Sequence, residues 1–228
     1  AKDFANLLLF DNVIGYSGLG AFSSTELQKA LAGKIANADL TLGQLSTNVS
    51  GNSTPKDVET MLQMVYLYFT NINKDQKSFD NLMQQLEVSL KNREINPDVA
   101  FSDSISATIY GHNPRIAPLT TERLKEISYD RILQIAKERT ASAQGWVFNI
   151  VGNYDEATIR PLICQYLGAL PAKAKAVKSK RELTPVKGVV DNTFKRKQET
   201  PKANSVMLWF NDQLPYTLKN ALCCDIAG

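Results

Sequence analysis

Among the 228 residues there is one histidine, His112, and it sits in a Gly-His-Asn-Pro turn. A catalytic zinc held by two or three imidazoles cannot be built from one. A Ser or Cys nucleophile using His112 as base stays open on residue types, but no Gly-x-Ser-x-Gly elbow accompanies it. The plainer reading of His112 is a solvated loop residue. Cys164, Cys223 and Cys224 have no metal-ligand spacing, and a directly adjacent pair is badly placed to bridge to itself. They read as small core residues, because free cysteine is among the most buried types. Glu87 and Glu94 lie two helical turns apart and could share a face, yet exposed charge on an amphipathic helix needs no further role. On residue types alone, no catalytic, cofactor-binding or metal-ligating residue can be named.

Glycine turns are the remaining candidates for chemistry. Ile150 to Pro171, IVGNYDEATIRPLICQYLGALP, reads as a strand, a glycine turn and a helix with an acid near its start. Nucleotide-binding turns share that order, but Gly152-Asn153 lacks the further glycines that let a backbone approach a pyrophosphate. Asp155 is better placed to interact with the positive end of the helix. GYSGLG, Gly15 to Gly20, precedes a helix, but Ala21-Phe22 stand where a phosphate loop needs Lys and Ser/Thr. Both turns read as structural.

The elements that carry these residues follow from periodicity and caps. Phe4 to Ile14 has helical apolar spacing with no capping residue ahead of it. Ser23 and Glu26 form a capping box for a short helix closed by Gly33. Thr41 to Val49 alternates as one or two strand segments. Thr54-Pro55-Lys56-Asp57 opens a helix whose Val58, Leu62, Val65, Leu67 and Phe69 predict a wide buried face. A helix from Asp75 to Arg93 is ended by Asn96-Pro97, and Pro97 opens the next. Helical patterns return from Thr121 to Ala141 and from Asp155 to Leu167. Trp146 to Val151, Asn192 to Gln198 and Asn204 to Asn211 read as strands. The tail after Pro215 keeps helical spacing, and its Leu218, Leu222 and Ile226 face is expected to be poorly covered. With such ends, the sequence reads as a piece of a longer chain. Strands and helices without regular alternation predict an α+β fold, an antiparallel or mixed β-sheet covered by helices.

Charge is unevenly placed. Ala172 to Lys202 holds ten Lys/Arg against three Asp/Glu, leaving sixteen against twenty in the remainder, so a mildly acidic body carries one basic segment. A uniformly basic nucleic-acid binder would differ. Phe194 is the one aromatic in that segment, which leaves base stacking nothing to use. No apolar run approaches the roughly 18 residues of a membrane span, and the start has no clear signal-peptide pattern.

Three stretches together resemble the pitrilysin/insulinase family of zinc metallopeptidases. NPRIAPLTTERLKEISYDRILQIAKER followed by VFNIVGNYDEATIRPLICQYLGALP is similar to the family's Asn-Pro turn, Leu-Thr helix start and Val-Gly-Asn strand-to-helix unit. SGLGAFSSTELQKALAGK with GNSTPKDVETMLQMVYLYFTNINKDQKSFDNLMQQLEVSLKNREINPD resembles the helical first half, in the version of the large bacterial single-chain members. KANSVMLWFNDQLPYTLKNALCCDIAG resembles the opening of a following family domain. The resemblance implies a clamshell-type, mitochondrial processing peptidase-like domain at residues 1–171 lacking its first part. A basic linker at 172–190 and the opening strands and helix of the next domain at 191–228 complete the division.

Family catalysis uses a zinc in an inverted His-x-x-Glu-His motif, whose position would fall near Lys2 to Leu8. KDFANLL has neither His nor Glu. The resemblance therefore implies a non-catalytic repeat, the third of four, with zinc in the N-terminal half of a parent chain and none in this segment. Its partners would be a peptide substrate and that N-terminal half, with no nucleic acid and no membrane span. Rival readings are a catalytically dead scaffold or interaction protein of the same family, and phosphate or nucleic-acid binding through the basic segment. A periplasmic or other exported bacterial location follows from the resemblance alone.

Overall fold

A computed structural model describes residues 3–172, 183–197, 202–210 and 214–227. Helices α1 (Phe4–Leu8) and α2 (Phe10–Gly15) lead to the two-residue strand β1 (Gly18–Leu19) and helix α3 (Ser24–Ala30). Strands β2 (Ala36–Leu42) and β3 (Thr47–Ser53) form a hairpin, followed by α4 (Val58–Thr70) and β4 (Ile72–Asn73). Helices α5 (Gln76–Glu94), α6 (Pro97–Ile109), α7 (Thr121–Leu124), α8 (Tyr129–Thr140), α9 (Glu156–Tyr166) and α10 (Leu218–Ala227) complete the described elements. Both sheets are antiparallel pairs, β1 with β4 and β2 with β3. The α+β class read from the sequence holds.

Helix α4 is the centre of the molecule, packing on β2, β3, α8 and α9. Its Leu62, Met64, Val65, Tyr68 and Phe69 are buried, together with Phe10, Val13 and Ile14 of α2 and Ile132, Ile135 and Ala136 of α8. The start of α4 is fixed by Asp57, whose carboxylate accepts from the Thr54 hydroxyl (2.9 Å) and the Ile35 N–H (3.0 Å) where the chain enters β2. Further along, the Tyr68 hydroxyl donates to the Ala38 carbonyl of β2 at 3.1 Å. Burial, with the charge of Asp39 adding, pushes this phenol up to about 12, so it stays a donor across ordinary pH.

Tyr129 joins the remaining layers. Ser17 donates its single hydroxyl proton to the Val13 carbonyl, so the 2.9 Å contact between Ser17 and Tyr129 is donated by Tyr129. The same phenol oxygen accepts from the Asp75 N–H at 2.9 Å. Asp75 in turn caps α5 through Ser78 N–H (3.0 Å) and accepts from Ser24 N–H at the start of α3 (3.0 Å). Phe79 stacks on the Tyr129 ring, centroids 4.6 Å apart. One side chain thus ties α2, α3, α5 and α8.

Of the caps read from the sequence, the Ser23–Glu26 box is present and Asp155 caps α9, while Thr54 makes no capping bond and is followed by a 3-10 turn, Pro55–Asp57, before α4; Asn96, read only as the end of α5, caps α6. Thr41 to Val49, read as one or two strand segments, holds the end of β2 and the start of β3 on either side of the hairpin turn, where Gly43 N–H donates to Ser46 O. Other expectations are corrected. The helical stretch from Thr121 divides because Ser128 opens a second helix, its side chain accepting from Arg131 N–H, while its N–H donates to Asn6 at 2.8 Å. Trp146 to Val151 and the described parts of Asn192–Gln198 and Asn204–Asn211 are not strands among the described residues. Alternation is there, with Trp146 and Phe148 turned to Phe69, but a ladder also needs a neighbouring strand. The cysteines are exposed, not core: on α9 Tyr166 meets Tyr66 of α4 and Ile159 is buried, while Cys164 stays outside. Leu218, Leu222 and Ile226 are 78%, 52% and 86% exposed, as expected of that face. Residues 173–182 of the basic linker lie outside the described residues; its Val186 N–H donates to the Ile109 carbonyl of α6, and just beyond the linker Asn192 donates to Thr108 (2.7 Å).

Removing the Tyr129 hydroxyl leaves the Asp75 N–H without its partner, so Tyr129→Phe should lower unfolding free energy by about 1–3 kcal/mol in urea titrations. Burial alone would raise the Asp75 carboxyl, but the Ser78 N–H and hydroxyl and the Ser24 N–H hold it below its ordinary value. Its stabilisation is complete above the ordinary carboxylate value of about 3.9 and is lost as pH falls through the lowered one. Asp75→Asn should flatten that part of the acid-unfolding profile.

Candidate functional site

An open cleft of about 1620 Å3 lies between the hairpin and the stretch before α9. Small-molecule sites run to roughly 300–1,000 Å3, so this one has the scale of a polymer. Leu62 and Val65 of α4 line it, with Phe4 and Leu7 of α1 at one end. Its two long walls are pieces of extended chain.

The first wall is β3, and the hydrogen bonds fix which of its edges faces outward. Gly43 N–H to Ser46 O and Thr54 N–H to Ile35 O fall just beyond the two ends of a ladder in which Leu42 faces Thr47 and Ala36 faces Ser53. Bonded and non-bonded pairs alternate in an antiparallel ladder. Asn48, Ser50 and Asn52 therefore turn their backbone groups to β2, while Thr47, Val49, Gly51 and Ser53 turn theirs away. All four of the latter line the cleft, as do Asn48 and Asn52. The second wall runs from Gln144 to Asp155 without skipping a residue. Successive side chains of an extended chain point to opposite faces, so an unbroken run can line one cleft only where the cleft follows the chain's edge. Residues 147–151 make no backbone hydrogen bond among the described residues.

Helix α4 sets how β3 lies. At Gly51 an added Cβ would stand 2.9 Å from Met61 Sδ and 3.1 Å from the Asn37 carbonyl. The missing side chain lets α4 close on the hairpin. Trp146 holds the other wall, its ring 4.8 Å from Phe69 in an edge-to-face contact.

The positions singled out for chemistry are placed apart. His112 is an exposed turn residue with φ 57°, following Gly111 at φ 58°, at the end of α6. Gly18 and Gly20 are structural: a Cβ on Gly18 would collide with the Phe22 carbonyl at 2.0 Å, and Gly20 has φ 62°. At the turn after Val151, Asp155 itself occupies the end of α9, accepting from Thr158 N–H (2.8 Å) and hydroxyl (2.7 Å). Those bonds hold its carboxyl below the ordinary range, so a negative charge already sits where a phosphate would dock. Glu87 pairs with Lys91 at 2.8 Å, and the side chain of Glu94 lies outside the described residues. No three or more His, Cys, Asp or Glu are grouped to hold a metal among the described residues. None of their helices is long and apolar enough to cross a membrane. The cleft itself escaped sequence reading, although Trp146 to Val151 reads as a strand and Thr47 to Val49 of the other wall as part of one.

No family model matches the chain. A zinc protease PQQL-like protein of Arabidopsis thaliana is 30% identical over 122 residues, 53% of this chain and 13% of that protein. The periplasmic protease PqqL from Escherichia coli superposes with TM-score 0.67 over 81% of this chain and 21% of its own, at 20% identity. The chain is thus similar over part of its length to a zinc protease-like protein and shares the fold of a protease, in keeping with the pitrilysin/insulinase resemblance of its sequence. A mutant of the ferredoxin protease FusC, solved with Arabidopsis ferredoxin, shares the fold at TM-score 0.60 and 14% identity, over 79% of this chain and 20% of that one. The 228 residues thus span a small part of each of these relatives.

Gly51→Ala should lower the urea midpoint, with overpacking of about 1–3 kcal/mol. Adding Met61→Ala should recover part of that loss; strictly additive effects would show that α4 and β3 do not meet there.

Proposed function

We propose that this chain is a non-catalytic enclosing segment of a zinc-dependent endopeptidase. It contributes a wall around a peptide or unfolded protein substrate, while zinc and the water-activating carboxylate belong to an N-terminal half elsewhere in the parent chain. The cleft flanked by two strand edges carries this reading, being built for polypeptide and not for a small molecule. The sequence supports the division: one histidine offers too few ligands for the family's metal centre, and Lys2 to Leu8 lacks the motif. The relatives are proteases, and one is crystallised with a protein, ferredoxin, which fits a polypeptide substrate class.

A wall need supply no acid or base. Closing two shells on a chain removes water from the reacting site and fixes the substrate by backbone bonds, which strengthens electrostatic terms at a metal held by the other shell. The domain division at 1–171, 172–190 and 191–228 belongs to the same proposal.

Purified alone and dialysed, the chain should retain no stoichiometric zinc by metal analysis and should not cleave a quenched peptide. Its thermal midpoint should be the same with zinc as with EDTA, since a ligand bound to the native state would raise it. One tightly held zinc per chain would contradict the assignment.

A further inference from the structure

The stretch that reads as a linker does not hang free. Its described part and the residues after it run antiparallel to α6 and touch that helix at three levels. At the C-terminal end the Val186 N–H donates at 2.8 Å to the Ile109 carbonyl, one of those a helix leaves without an internal partner. The Val186 side chain lies against Gly111, where an added Cβ would stand 3.1 Å from its Cγ1. Further back, Asn192 Nδ2 donates to the Thr108 hydroxyl oxygen at 2.7 Å and lies 3.4 Å from that of Ser104. Thr108 can accept because its own proton goes to the Ser104 carbonyl at 2.8 Å. In the first turn of the helix, Asp98 pairs with Lys202.

These contacts are polar, and apolar cover is thin. Every residue from 187 to 197 is exposed, Val189 completely so, and α6 has no fully buried residue. Segments that bury little apolar surface open locally at a small part of the global unfolding free energy. We infer that residues 183–197, with Lys202, act as a releasable strap. Clasped on α6, the strap fixes where the chain beyond Lys202 leaves the body. Released at Asn192, it lets that chain swing while residues 3–172 stay folded. Leu183, at the near end of the strap, lines the cleft, so the strap joins the cleft wall to the direction of the following segment. This inference stands on the contacts with α6, whether or not the parent chain is a peptidase.

Pulsed dipolar spectroscopy on the whole 228-residue chain tests it. One spin label sits on the exposed Cys164 of α9 and the other at V189C, with C223S and C224S removing the remaining thiols. With Asn192 intact, one narrow distance should dominate. Asn192→Ala and Asn192→Asp each remove the Nδ2 donor, and each should raise the fraction outside that peak several-fold with an unchanged urea midpoint. A broad distribution with Asn192 intact would show that no clasp forms. A narrow one that either variant leaves unchanged would show that Asn192 does not release it. Broadening together with a lowered urea midpoint would show that strap and body unfold as one unit. Any of these three results overturns the inference.

Discussion

A β-strand presents hydrogen-bonding groups on both edges, and among the described residues β3 has a partner on one. That one-sided pairing organises the molecule. The hairpin cannot rotate to hide its second edge, because Tyr68 fastens α4 to β2, Asp57 fastens the start of α4 to the entrance of β2, and Gly51 admits Met61 against β3. The open edge is therefore held at the border of the cleft by packing on the opposite side. Trp146 against Phe69 does the same for the facing wall.

The polar interior serves this scaffold and leaves no reactive group over. Of the buried polar side chains, Ser17, Ser24 and Thr140 sit at helix ends or connections and Asn6 lies within α1, and no buried side-chain polar atom among the described residues lacks a partner. The Tyr129 hydroxyl is the densest node, and its bonds to Asp75 and Ser17 join the starts of α3, α5 and α8 to α2. Its chemistry is that of a fastener: a neutral phenol between a hydroxyl and an amide. A molecule arranged this way can present a rigid wall while the reacting groups stand elsewhere.

Local signals in the sequence were the legible ones. Ser23 and Asp155 act within three residues, and each caps the helix that its position predicts. The apolar face of α4 was legible for the same reason, since its period is internal to the helix. What could not be read is pairing across distance. Ser17 and Tyr129 stand 112 residues apart, and Tyr68 reaches Ala38 across 30. Trp146 to Val151 shows that limit most clearly: its side chains alternate as a strand requires, yet its backbone finds no neighbour among the described residues. The cysteines misled because composition ranks a residue type and not a helix face. The candidate site was hidden on the same ground, being a relation between two extended stretches with no motif of its own.

Amide hydrogen exchange of the free chain, resolved by residue along β3, tests the central claim most directly. An edge bonded on one side predicts alternation: Asn48, Ser50 and Asn52 slow, Thr47, Val49 and Gly51 fast, and Phe148 to Val151 fast throughout. Uniform protection along β3, with Phe148 to Val151 protected as well, would mean that the edge is already paired and that the account of the cleft is wrong.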